Sequence, residues 1–328
     1  MKKLVYFLAA LFLLILAISG ISYYVLLSKI NSYNQLSKPV FVKIHKGESI
    51  KKIAEKLEKK GIIKDKNLFI LYARYKNKPL KYGFYMFKGK LNIPQVWEIL
   101  YTGKEKLIKF TIIPGEDLID IGQKLEKAGF VQKEEFYKYV FDPKNVRWYG
   151  LEGKSFEGYF PPDTYYFRKD FTLRNIIETF LGDFKRKYKP VLKPVENLTP
   201  YQVMIVASMV EKETAVPEEK PIIAGVIINR LKKGMKLQID STIIYALKLK
   251  NQWYGDLTKK NMKIDSPYNT YLYQGLPPTP ICSFSLESLK AVINYKKTEY
   301  LYFFSKDGKR HSFSKTYREH LRKVRAAY

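Results

Sequence analysis

From Leu4 to Leu27 the chain carries no charged residue, and Leu, Ile, Ala, Phe and Val dominate the run. At ~1.5 Å of rise per residue, about 20 apolar residues cross the hydrocarbon core of a bilayer, so this run is long enough to span one as a helix. Lys2 and Lys3 precede it and Lys29 follows it, a balance that favours a cytoplasmic N-terminus. A cleaved signal peptide is the rival reading, with Ala17-Ile18-Ser19 as a poor cleavage site. The apolar run continues past that site to Leu27, too long for the apolar region of a usual signal. The expectation is an uncleaved, single-pass anchor over residues 1–30 in the cytoplasmic (inner) membrane. Everything after Lys29 then forms one body on the outer, periplasmic side, because no second run of this kind follows.

The 328 residues include 59 Lys or Arg against 31 Asp or Glu, a formal net charge of +28. Such a charge suits nucleic acid, an anionic envelope surface, or simply a lysine-rich solvated exterior. The lysines are spread along the chain rather than clustered, and an exported body argues against nucleic acid as a partner. The single cysteine, Cys282, excludes an intramolecular disulfide, and His45, His311 and His320 are too scattered to suggest a metal cluster. Neither a metal nor a cofactor is expected.

After a polar stretch, Asn31–Pro39, that reads as a linker, the chain repeats itself. Gly47-Glu48-Ser49-Ile50, Ile53, Leu57 and Gly61-Ile62 recur 68 residues on as Gly115-Glu116-Asp117-Leu118, Ile121, Leu125 and Gly129-Phe130. Each copy opens with a short alternating strand, Phe41–Ile44 or Phe110–Ile113. Ser49 or Asp117 can cap the helix that follows, and the second glycine can end it. A second helix is expected in each copy, over Asn67–Tyr75 and Glu134–Val140. Between the copies, Lys81–Phe87 reads as a strand and Gln95–Thr102 as a helix. This strand–helix–helix pattern resembles LysM-type modules, which implies binding to N-acetylated sugar chains. The texture changes near Gly150 to aromatic and proline-rich motifs, so the expected organisation is a LysM-like region over 31–145 and a catalytic domain over 146–328. The fold class expected is α+β.

In the second half, Thr199-Pro200-Tyr201-Gln202 is a strong helix start, with Thr199 as N-cap, Pro200 in the first turn and Gln202 closing a capping box. Val203–Val210 is apolar nearly all round, as in a buried helix, and the helix ends on Glu211-Lys212-Glu213-Thr214. Glu211 shares a face with Met204, Ala207 and Ser208, whereas Glu213 is rotated by roughly 200°, so the two cannot serve one site. A carboxyl at the mouth of an apolar helix is desolvated, which raises its pKa and suits a general acid. Ser241 or Asp240 can cap a further helix. Asn229 and Arg230 end an apolar helix that starts near Pro221. The rigid loops Ser266–Tyr271 and Gly275–Pro278 offer aromatics and amides for sugar rings and hydroxyls.

Taken together, Glu157–Tyr165, Ala207–Thr214, Leu237–Asp240, Ser266–Tyr271, Gly275–Pro278, Tyr300–Phe303 and His311–Ser314 resemble the endolytic murein transglycosylases, the YceG-like proteins. In that family the glutamate of the Val-Glu-Lys-Glu-Thr motif is catalytic, which carries over to Glu211. The resemblance implies that protonated Glu211 donates to the glycosidic oxygen between N-acetylmuramic acid and N-acetylglucosamine. The carboxylate left behind takes the proton of the muramic acid C6 hydroxyl as that oxygen attacks C1, leaving a 1,6-anhydro end. Because the nucleophile is internal to the sugar, no second carboxylate is required. Gln238, Asp240, Tyr268 and Asn269 are the residues expected to orient the substrate, with Glu157, Asp163 and Asn229 as further cleft candidates. Four positions depart from the family pattern. Ser241 stands where proline is usual, Thr279 where glycine is usual, and Ser283-Phe284 replaces Asn-Pro. The resemblance also implies a role in terminating nascent glycan strands, beside peptidoglycan synthases. Two other readings stay open: a muramidase using Asp240 to position water, and a non-catalytic wall-binding scaffold.

Overall fold

Lys2–Asn31 form one helix, α1, in a computed structural model that describes residues 2–103, 107–305 and 310–327. By length and composition its segment Tyr6–Asn31 can cross a membrane. Where a linker was expected, the chain instead enters strand β1 (Asn34–Ile44), which pairs antiparallel with β2 (Gly83–Leu91). Val42 lies opposite Tyr85 and Val40 opposite Phe87, with a register shift between Leu36 and Val40. Between the strands lie α2 (Ile50–Lys59) and α3 (Lys66–Lys76), and α4 (Ile93–Thr102) follows β2. The helix starts follow the capping chemistry: the Ser49 hydroxyl accepts from the Lys52 N–H, Asp65 from Asn67 and Leu68, and Asn92 and Gln95 form a capping box. Val42, Ile44, Tyr85 and Phe87 turn inward, as alternation requires, and close a core with Ile53, Leu57, Phe69, Val96 and Leu100. Ile30, at the end of α1, is buried in that core.

The second copy of the repeat opens the other compact unit. Strand β3 (Ile108–Ile112), α5 (Leu118–Lys127) and α6 (Lys133–Val140) are followed by a short α7 (Pro143–Trp148), and β4 (Asp163–Phe167) returns beside β3. Both copies therefore read strand, helices, returning strand. The compact units divide at Ile108/Lys109, with Arg168–Asp170 counted in the first, rather than between Val140 and Gly150. The reason is packing. Phe110, Ile112, Leu118, Ile121, Leu125 and Phe136 bury their apolar face against Phe156, Phe160, Phe167 and Phe180, and one continuous core reaches from there to Val206 and Met209.

The rest of this unit is α8 (Leu173–Lys187), α9 (Pro200–Glu213), α10 (Lys220–Lys232), α11 (Asp240–Leu249), α12 (Leu286–Ile293), the antiparallel pair β5 (Tyr302–Ser305) and β6 (His311–Ser314), and α13 (Tyr317–Ala327). Helix α9 is the central element: Val203–Val210 are all buried, and α10, α11 and α12 pack around it. The expected cap on α11 is replaced. Ile239 is the N-cap residue with no side-chain bond, and the hydroxyls of Thr242 and Ser241 turn to other partners.

Candidate active site

The two glutamates at the end of α9 diverge, as their rotation on the helix dictates. Glu211 runs to the start of α12. Its Oε2 accepts from the Ser285 N–H (2.9 Å), the Ser285 hydroxyl (2.6 Å) and the Ser288 hydroxyl (2.6 Å). Its Oε1 lies 3.6 Å from Lys220 Nζ, and both side chains are under a tenth exposed. Burial alone would raise this carboxyl, yet the bonds from Ser285 and Ser288 and the Lys220 charge outweigh it, and the pKa falls below the ordinary glutamate value. The raised pKa expected for Glu211 is thus overturned: desolvation was read correctly, but the serines of α12 were invisible in the local sequence. The carboxylate ties α9, α10 and α12 together.

Glu213 faces the other way, into a cavity of about 290 Å³ that it lines with Arg230, Gln238, Asp240, Tyr271 and His311 among others. Among the described residues one hydrogen bond holds it, from Ser241 Oγ to Oε1 at 3.1 Å. Burial, with the nearby Asp240 charge, raises its pKa to about 7; Ser241 and Lys212 only partly oppose this. A carboxyl that is half protonated near neutrality and open to a polar cavity has the property required of a general acid.

The cavity walls come from three places. Gln238 sits in a left-handed backbone conformation (φ +52°), unusual for a residue with a Cβ. Its N–H donates to Thr270 O, and the next N–H, that of Ile239, donates to Thr270 Oγ1. Asp240 accepts a 2.5 Å bond from Tyr271 Oη. Arg230 is buried and spends its guanidinium on the carbonyls of Leu301 and Leu237, each at 2.6 Å, so it fastens the start of β5 to the Gln238 turn. His311, the first residue of β6, is held through Nδ1 by Glu219 Oε2 at 2.8 Å and through its N–H by Glu219 Oε1 at 3.0 Å.

Of the residues expected to orient substrate, Gln238 and Asp240 do line the cavity, and the others lie elsewhere. Asn269 is fully buried and donates to the carbonyls of Met262 and Ile264, which builds the loop that carries Thr270 and Tyr271. Tyr268 packs edge-on against Tyr245 and shares a hydrogen bond with Thr279. Asn229 straps the chain at Thr298 and Tyr300. Glu157 is fully buried, accepting from the Leu118 N–H and Tyr245 Oη. Burial and the Asp117 charge push its pKa well above the usual range. Asp163 pairs with Lys187. These side chains shape the scaffold, because amides and carboxylates in Pro- and Gly-rich turns are as readily used for backbone closure as for ligands. Glu213, Tyr271, Arg230 and His311 also line the cavity, although the sequence assigned none of them individually to the site, and Ser241 reaches it through its bond to Glu213. For Glu213 a signal existed: on its helix it faces away from Glu211, towards whatever follows the Leu237–Asp240 motif.

A family model described as the YceG-like family matches residues 42–326. The chain is 30% identical over 307 residues to the endolytic murein transglycosylase of Bacillus subtilis (strain 168), a match covering 86% of this chain and 82% of that protein. It is 32% identical over 298 residues to the protein of that name from Streptococcus pneumoniae serotype 2, covering 81% of this chain and 54% of the relative. The crystal structure of a YceG-like protein from Listeria monocytogenes superposes with a TM-score of 0.60 at 30% identity, covering 88% of this chain and 99% of that one.

Proposed function

Because the chain belongs to the YceG-like family, we propose that it is an endolytic murein transglycosylase whose acid is Glu213. The observation that carries this reading is the Glu213 carboxyl itself, raised to about 7 and facing a cavity walled by Gln238 and Asp240. Protonated Glu213 donates to the oxygen that links N-acetylmuramic acid to N-acetylglucosamine, the C1–O bond breaks, and the C6 hydroxyl oxygen of the muramic acid closes on C1. The products are a 1,6-anhydro end and a free 4-hydroxyl, and no water is consumed. Gln238 and Asp240 orient the sugar. Glu211, the residue first expected in this role, holds α9 to α12 instead and acts through that scaffold.

The surrounding organisation supports a protein working on nascent strands at the membrane. Helix α1 anchors the chain with the body outside, and the two strand–helix–helix–strand copies are LysM-like modules that hold glycan. The N-terminal run and its flanking lysines support the first point, the antiparallel β1–β2 pair around α2 and α3 the second. Such a protein terminates growing glycan strands and works beside peptidoglycan synthases.

Incubating residues 30–328 with purified sacculi and analysing the products by mass spectrometry tests the reading, with Glu213→Gln and Glu211→Gln in parallel. Anhydro ends from the unmodified protein, none from Glu213→Gln and some from Glu211→Gln are expected. Reducing ends would make the protein a muramidase with Asp240 as the group that positions water. Wall binding without cleavage would leave a scaffold.

A further inference from the structure

The transglycosylase reading supplies a donor for the leaving oxygen, but the C6 hydroxyl must also lose a proton as it attacks. His311 is placed for that task. It lines the same cavity as Glu213, and it is not free to turn away: Glu219 accepts from both its backbone N–H and its ring Nδ1. Glu219 is itself fixed, being under a tenth exposed, with the Thr214 hydroxyl at 3.4 Å. Burial works to raise the Glu219 carboxyl, and the bonds from His311 more than reverse that, so it is ionised. An ionised carboxylate on Nδ1 fixes the proton there and leaves Nε2 as the basic nitrogen, the arrangement by which a carboxylate orients a histidine base. The ring is also clamped edge-on by Phe303, its neighbour on β5. A histidine kept only for an ion pair has no need to border a polar cavity shared with a second titratable carboxyl.

The geometry points to His311 as the base that accepts the proton of the C6 hydroxyl, with Glu219 as its orienting partner. This rests on the transglycosylase reading and adds a second catalytic group to it. In the step, the C1–O bond to the leaving sugar breaks and that oxygen takes the proton of Glu213. The C6 oxygen forms its bond to C1 and its proton passes to His311 Nε2. The cavity then holds a Glu213 carboxylate and a His311 imidazolium balanced by Glu219. Return of the proton from His311 to Glu213 through water restores the starting state with no other reactant.

The test uses the full chain acting on isolated sacculi, with anhydro ends counted. General-base assistance contributes about a hundredfold or more, so His311→Ala is expected to lower kcat by about a hundredfold with KM little changed, and added imidazole to restore part of the rate. His311→Gln, whose amide can still donate to Glu219 and so keeps the fold, is expected to stay equally slow. Wild-type kcat in His311→Gln overturns the assignment even if His311→Ala fails to fold, as does a slow His311→Ala that folds and gains nothing from imidazole. The two readings fail separately. Loss of the base role alone leaves anhydro ends that still depend on Glu213, whereas absence of anhydro ends from the unmodified protein removes the transglycosylase reading itself.

Discussion

Ser241 Oγ donates to Glu213 Oε1 across 3.1 Å, joining the first turn of α11 to the last residue of α9. The bond favours the ionised carboxylate and so opposes the burial that raises Glu213 to about 7. Proline, the residue that the family resemblance leads one to expect at position 241, could not make it. Removing the hydroxyl should therefore raise the pKa further. Glu213 must be protonated to act as an acid, so activity falls as pH rises through that pKa. In Ser241→Ala the alkaline limb of the kcat/KM profile should move upward by about one pH unit, the size expected for one hydrogen bond to a charged group. An unmoved limb would assign the titration to another residue.

The same carboxyl affects stability. Its folded pKa of about 7 lies above the ordinary value of 4.5, so between those values the folded state holds a proton that the unfolded chain has released. Stability tied to Glu213 is thus complete below about pH 4.5 and lost as pH climbs through 7. Glu213→Gln should abolish cleavage, and at pH 8 it should melt above the unmodified protein while matching it near pH 4. Thermal melts across that range check this, and a lower melting temperature at pH 8 would contradict the burial argument.

Glu211 should behave in the opposite way. It is an ionised group with a depressed pKa, and removing it leaves Lys220, whose side chain is 4% exposed, with the more exposed Glu287 at 3.3 Å as its carboxylate partner and takes the acceptor from the Ser285 N–H. Breaking a buried pair of this kind costs roughly 3–5 kcal/mol. Glu211→Ala should unfold at clearly lower denaturant than Glu213→Gln. In the unmodified protein the contribution of Glu211 is present above pH 4.5 and fades as pH falls through its depressed value. Chemical denaturation of both variants at pH 7 separates the two glutamates, and equal midpoints would remove the structural role given to Glu211.

Much of this fold could be read from periodicity and capping. The repeat at Gly47 and Gly115 folds into α2–α3 and α5–α6, and Thr199, Pro200 and Gln202 start α9 as written. At Gly158 the structure adds a reason the sequence could not supply: with φ +83° and the Pro280 ring 2.7 Å from any added Cβ, a side chain does not fit that corner. What could not be read are the partners supplied from far along the chain. Whether Glu211 or Glu213 has a raised pKa depends on Ser285 and Ser288 meeting one and Ser241 meeting the other, and no local window contains that fact. The burial of motif residues such as Asn269 and Glu157 was hidden for a related reason. A polar side chain that closes a backbone turn and one that meets a ligand look alike until burial is known.

One more long-range group decides how the second repeat copy is held. Lys248 on α11 places Nζ 2.7 Å from Asp117 and 2.8 Å from Asp120, the two carboxylates that cap α5, whose charges also reach the buried Glu157. Burial already keeps the Asp117 pKa above the usual range with the Lys248 charge working against it. Lys248→Met preserves the apolar stem and removes the only cation paired with Asp117 among the described residues. It should cost about 3 kcal/mol or more at pH 7, the scale for stranding buried charge. Without the ammonium the Asp117 pKa rises further, so the deficit should grow as pH increases and shrink towards pH 4, where protonation neutralises the stranded charge. Urea midpoints for Lys248→Met at pH 4, 6 and 8 give the slope directly, and a deficit that stays constant with pH would show that the cost comes from packing instead of charge.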